Sequence, residues 1–232
     1  MKKLLLGSMV SALALTSAAF ADIKIAHIYG KTGPFEAYAK QSHDGLMLGL
    51  EYATGGTMEI NGEKIIMIEK DTQLKPDNGK ALLEEAYGDD EVDLAIGPVS
   101  SGVALAMLPV AEEYEKILIV EPAVADSITG ANWNRYIFRT GRNSSQDAVS
   151  NAIALAGDNV HIATLAQDYA FGRDGIAAFK EALESVGQSG AHEEYAPTDT
   201  TDFTAAAERI VNAMKDLDGE KKLFIIWAGG GN

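Results

Sequence analysis

The feature that most constrains this chain is a repeated alternation of short apolar runs with longer amphipathic segments. Ile23–Ile28, Lys64–Glu69, Val92–Ile96, Ile117–Val120, Val160–Leu165 and Leu223–Trp227 each read as a strand. Between them lie segments with helical spacing: Ala39–Tyr52, the stretch from Pro76 that carries Leu82, Leu83 and Ala86, Gly102–Tyr114, Gln146–Ala156, Gly172–Val186 and Phe203–Met214. Pro76 suits the first turn of its helix, and Pro109 is expected to bend or divide the next one. Near-continuous apolar strands alternating with helices predict an α/β fold: mostly parallel sheets covered on both faces. In such sheets ligands sit beyond the carboxyl ends of the strands. The informative segments are therefore the turns Tyr29–Pro34, Asp71–Pro76, Gly97–Gly102, Glu121–Asp126 and Gln167–Gly172, with a sixth at Ala228–Asn232.

The alternation breaks once. Tyr136–Arg139 is strand-like and runs into the polar stretch Thr140-Gly141-Arg142-Asn143-Ser144-Ser145, after which a new strand–helix series begins. This reads as a passage between two lobes, the first spanning 22–140 and the second 141–232. Residues 1–21 are a third element. A basic start, Lys2-Lys3, precedes an apolar run, and Ala19-Phe20-Ala21 then places small residues where a signal peptidase reads them. The run is short for a membrane span of ~20 residues. It is read as a cleavable leader that directs the protein to the periplasm.

Composition removes several function classes. The chain carries 19 Lys and Arg against 34 Asp and Glu, a net charge of -15. Loss of the leader would leave 17 cations against the same 34 acids. Such a surface repels phosphate backbones, so no nucleic-acid partner is expected. Cysteine is absent, which excludes disulfides, thiolate metal sites and a Cys nucleophile. His27, His43, His161 and His192 show no metal-ligand spacing, and no cofactor or metal is expected.

The turn Gly97-Pro98-Val99-Ser100-Ser101-Gly102 follows a strand and opens a helix. Free N–H groups and the positive dipole end of that helix favour an anion, and Ser100 or Ser101 can either cap the helix or face the anion. It is not a nucleophile elbow, because Pro98 stands where Gly-x-Ser-x-Gly needs glycine. Gly30-Lys31-Thr32-Gly33 lacks the dinucleotide and phosphate-loop spacings. No Ser/His/Asp order and no carboxylate pair suggests acid–base chemistry, so the protein is read as a non-enzyme.

Taken together these turns resemble the solute-binding proteins of branched-chain amino acid-type ABC importers, the type 1 periplasmic binding proteins. The resemblance runs from Asp22 to the end. It rests on Lys31-Thr32-Gly33-Pro34, Gly97-Pro98-Val99-Ser100-Ser101, Glu121-Pro122-Ala123-Val124-Ala125, Phe138-Arg139-Thr140 and Asp168-Tyr169-Ala170-Phe171-Gly172. It implies two α/β lobes, each a mostly parallel sheet flanked by helices, closing on a small carboxylate or amino acid that is handed to a membrane ABC permease. The family's serine for the ligand carboxylate falls on Ser100, with Val99 and Ser101 beside it. Its backbone contacts fall on Ala123 and neighbours including Ala125, its covering aromatic on Tyr38, and its second-lobe aromatic on Phe171. The chain has Ala125 and Phe171 where amino-acid binders often carry a hydroxyl and a tyrosine, which opens the way to an aromatic or other organic acid. Family members are longer, so the second lobe is expected to be incomplete. An exported α/β enzyme and a sensor ectodomain of the same fold are the alternatives. If residues 1–21 are a cleaved leader, mass spectrometry of the exported protein will show Asp22 as the first residue; an intact Met1 would refute export by this route.

Overall fold

A computed structural model describes residues 22–228; residues 1–21, read from sequence as a leader, and residues 229–232, within the sixth expected turn, lie outside the described residues. The chain runs β1 (Ile23–Tyr29), α1 (Glu36–Thr54), β2 (Glu59–Ile60), β3 (Glu63–Asp71), α2 (Pro76–Gly88), β4 (Leu94–Ile96), α3 (Ser101–Glu113), β5 (Ile117–Val120) and β6 (Ile137–Arg139). It continues through α4 (Ser144–Leu155), β7 (Val160–Gln167), α5 (Ala170–Ser185), β8 (His192–Ala196), α6 (Thr204–Met214) and β9 (Glu220–Ile226). Two sheets result, ordered β2-β3-β1-β4-β5-β6 and β8-β7-β9. Every pairing is parallel except that of β2 with β3. This is the mostly parallel, helix-flanked α/β architecture that the alternation predicts.

Side-chain alternation along the strands sorts the layers. Ala26 and Ile28 of β1 and Leu118 and Val120 of β5 join Leu83, Met107 and Leu108 of α2 and α3 in the largest core. In the second sheet, Ile162 packs with Ala148, Phe179 and Leu183 under α4 and α5. Ala163 and Leu165 turn the other way, to Ile210 and Met214 of α6. Pro109 does not divide α3, which is one helix of 13 residues. Pro109 lies in its second half, and the Asn134 amide donates to the adjacent Leu108 carbonyl at 3.0 Å.

Two glycines set how closely helices approach the strand ends. At Gly97 (φ +120°) an added Cβ would lie 2.0 Å from the Ile28 carbonyl oxygen. At Gly172 it would lie 2.0 Å from that of Gln167. Neither position accepts a side chain without moving backbone, so the turns after β4 and β7 are pinned against their sheets.

The other face of the first sheet is unusually polar. His27 is fully buried and its ring stacks on Tyr29 with centroids 4.0 Å apart. His27 Nδ1 lies 3.1 Å from Nδ1 of His43 on α1, so one ring donates and the other accepts. The Tyr29 hydroxyl donates to Glu69 at 2.6 Å, and Lys31 donates to the same carboxylate at 2.9 Å. Burial, reinforced by His43 and opposed by Glu69, lowers the His27 pKa to about 4. The Tyr29 and Lys31 hydrogen bonds lower that of Glu69 to about 2.

In the unfolded chain His27 would take up a proton near pH 6.5, so the unfolded state binds more protons between pH 6.5 and 4. Stability is therefore fully present above pH 6.5 and falls as pH drops toward 4, by up to about 3 kcal/mol from this residue. Glu69 adds a loss in the same direction below its unfolded pKa. Denaturant melts should show a lower unfolding free energy at pH 5 than at pH 7, and His27→Leu should flatten that slope. An unchanged slope in the variant would refute the assignment.

Candidate functional site

The carboxyl ends of β1, β4, β5 and β7 converge on a cavity of about 250 Å³. That is below the roughly 300–1,000 Å³ of drug-sized pockets and suits a small metabolite. Its walls come from both sheets: Phe35 and Tyr38 at the start of α1, Val99 and Ser101 after β4, and Pro122 and Val124 after β5. Arg142 before α4, Tyr169 and Phe171 after β7, and Trp227 and Ala228 after β9 complete it.

Hydrogen bonds lock the turns together. Ser101 Oγ accepts the Ala125 N–H at 3.2 Å. The Val124 carbonyl accepts from both the Ser144 N–H (2.8 Å) and the Ser144 hydroxyl (3.1 Å). Arg139 donates to the Ala125 carbonyl at 2.9 Å. Burial pulls the Arg139 pKa down while Asp126 and Asp174 hold it up. Asn143 caps α4 in a reciprocal capping box with Gln146, which fixes the chain next to Arg142.

Across the cleft, an added Cβ on Gly102 would meet the Tyr169 ring at 3.6 Å, so Tyr169 leans on the N-terminus of α3. Burial pushes the Tyr169 phenol up, leaving it a neutral hydroxyl at ordinary pH. Ala170 packs against the first core, and the Ser127 N–H donates to Asp174 of α5 at 2.9 Å.

Of the residues expected from sequence, the structure brings Tyr38, Val99, Ser101 and Phe171 to this cavity. Ser100, Ala123 and Ala125 are buried beside it rather than on its lining. Ser100 is the N-cap of α3 by backbone geometry, but its side chain makes no capping hydrogen bond. The backbone of the β5 turn is already committed: the Ala123 N–H donates to Pro98, and its carbonyl and that of Ala125 accept from Arg139. Sequence reasoning missed Phe35, Pro122, Val124, Arg142, Tyr169, Trp227 and Ala228. Pro122, Val124 and Tyr169 stood inside the motifs quoted for the resemblance; Arg142 and Trp227 carried no local signal.

The two serines separate experimentally. Ser101→Ala leaves the buried Ala125 N–H without its acceptor and should lower stability by about 1–3 kcal/mol. Ser100→Ala loses no hydrogen bond within the protein and should change stability by less than about 0.5 kcal/mol. Urea melts of the two variants test this; a Ser100→Ala loss as large as that of Ser101→Ala would make Ser100 a structural cap.

Comparison with known proteins converges on one family. A family model described as periplasmic binding protein matches residues 22–229. A Leu/Ile/Val-binding protein of Rhizobium johnstonii is 28% identical over 218 residues, covering 93% of this chain and 58% of the relative. A solved ABC-type branched-chain amino acid transporter structure from Rhodopseudomonas palustris is 68% identical, with a TM-score of 0.69 over 90% of this chain and 57% of that one. A solute binding protein of an ABC transporter from the same species, in complex with 3,4-dihydroxybenzoic acid, is 30% identical with a TM-score of 0.74, covering 88% of this chain and 54% of that one. The chain thus spans a little over half the length of the relatives it matches. With its two mostly parallel sheets and the cavity at their carboxyl ends, the chain belongs to the periplasmic binding protein family.

Proposed function

We propose that the protein is the extracytoplasmic solute-binding component of an ABC importer. It captures a small carboxylate or amino acid between its lobes, 22–140 and 141–232, and delivers it to a membrane permease. On this reading it is a binding protein and not an enzyme, and it reaches the periplasm after losing residues 1–21.

The observation that carries this reading is the cavity itself, walled by strand-end turns from both sheets. A ligand seated there touches both lobes at once, so its binding energy favours the closed arrangement over the open one. The lining provides apolar contact and hydroxyl and guanidinium donors, the inventory of a capture site. The ligands named for similar proteins support the class. One relative is a Leu/Ile/Val-binding protein, and solved neighbours carry 3,4-dihydroxybenzoic acid and 4-hydroxybenzoate.

Isothermal titration of the full-length exported protein against L-leucine, L-valine, benzoate and 4-hydroxybenzoate tests this. At least one should bind with 1:1 stoichiometry and be recovered unchanged. Phe171→Ala, which strips one wall, should weaken that binding roughly tenfold or more. Failure of every small organic acid and amino acid to bind would refute the proposal.

A further inference from the structure

We infer that Asp174 is a positioning residue for solute capture: its carboxylate on α5 takes the Ser127 N–H of the first lobe and clasps the two lobes by a contact the solute does not make. This rests on the solute-capture reading above and deepens it.

The clasp is built on one short turn. After β5 the chain forms a single 3-10 turn, Asp126–Ile128, anchored by Ile128 in the largest core. Two of its residues reach the second lobe. The Asp126 carboxylate accepts the Ser145 hydroxyl at 2.7 Å and the Ser145 N–H at 3.3 Å. Ser145 stands in the first turn of α4, just past the passage between the lobes, so this pair lies close to where the chain crosses. The Ser127 N–H donates to Asp174 at 2.9 Å. Asp174 follows 47 residues later, beyond α4 and β7, so this second pair is remote from the passage along the chain. Drawing α5 away from the first lobe breaks it.

The surroundings favour the contact. Ala170, four residues earlier and on the same face of α5, packs against the largest core. Small residues line the groove that continues from the clasp, with Ala177 and Ala178 on α5 facing Gly130 and Ala131 of the first lobe. Arg139 of β6 donates to the Ala125 carbonyl, immediately before the 3-10 turn. Burial works against its charge, and Asp126 and Asp174 support it, so a cation of the first lobe attracts the carboxylate of the second. The Ser127 hydroxyl is buried with no partner among the described residues, which marks the seam as closely packed at this point. A hydrogen bond to a charged acceptor is worth more there than in water.

Neither Asp174 nor Ser127 lines the cavity. A solute therefore gains from the clasp only through the population of the closed form. Its apparent dissociation constant is the intrinsic one divided by the closed fraction. Loss of the clasp weakens every solute by one common factor, whereas loss of a wall residue weakens different solutes unequally.

The test reads closure and affinity together. Residues 1–232 contain no cysteine. Spin labels on Glu112→Cys and Glu184→Cys, exposed positions near the far ends of α3 and α5, report the distance between the lobes in the full-length exported protein. Without solute, Asp174→Ala should move the distribution to longer distances and lower the closed fraction at least threefold. Asp174→Asn keeps an uncharged acceptor and should show a smaller shift of the same sign. Ser127→Ala keeps the N–H and should match the parent. All three should keep the parent's circular dichroism. The protein is then titrated with L-leucine, L-valine, benzoate and 4-hydroxybenzoate. Asp174→Ala should weaken each one that binds by the factor by which the closed fraction falls. An unchanged distance distribution in Asp174→Ala, an equal shift in Ser127→Ala, or unequal losses among solutes overturns the clasp and leaves solute capture standing. Failure of all four to bind the parent removes the capture reading, and the label distances still decide whether Asp174 holds the lobes together.

Discussion

The bond from the Ala125 N–H to the buried Ser101 hydroxyl ties the helix that follows β4 to the turn that follows β5. The next residue back, Val124, takes two bonds from Ser144, so the entry to the second sheet is fastened to the same point. Remove the first bond and Val99, Val124 and Arg142 lose their common reference, although each element would still pack on its own core. A buried polar group in this position stabilises little when satisfied and costs much when orphaned. That asymmetry makes it a device for geometry more than for stability.

Most of the fold was legible because parallel sheets write themselves as apolar runs between amphipathic helices. The exceptions are instructive. β8, with the sequence His192-Glu193-Glu194-Tyr195-Ala196, has only two of five residues buried, so no apolar signal marks it. Its identity comes from pairing with β7, a tertiary fact. β2 is two exposed residues on the edge of the sheet. Pro109 is a breaker by rule, yet α3 runs through it because seven of its 13 residues are buried in the core.

The site was partly legible for a different reason. Val99, Ser101 and Phe171 lie in turns that follow strands, where the rule that ligands gather at strand ends points; Tyr38, beyond the first turn, and the role of Phe171 come from the family resemblance. Arg142 sits in a polar passage and reads as a solvated turn residue. Its position depends on Ser144 reaching back 20 residues to Val124. The sequence reads Trp227 as the last residue of its strand, and β9 ends at Ile226 instead, which leaves Trp227 to the cavity wall. Spacing alone does not rank Ser100 and Ser101, since both can cap the helix, and the resemblance points to Ser100 for the ligand; the Ala125 N–H donates to Ser101.

The polar underside of α1 also bears on the energetics of opening. Of the 19 residues in that helix only Ala39 is buried, whereas seven are buried in α3. The partly buried side chains of α1 include His43, which stacks on His27 and Tyr29 of β1. A helix held by so few fully buried side chains belongs to the segments that open locally at lower free energy than the core helices. Phe35 and Tyr38 ride on the first turn of this helix. The wall they form is therefore anchored by fewer buried side chains than the wall that Val99 and Ser101 form beside the start of α3.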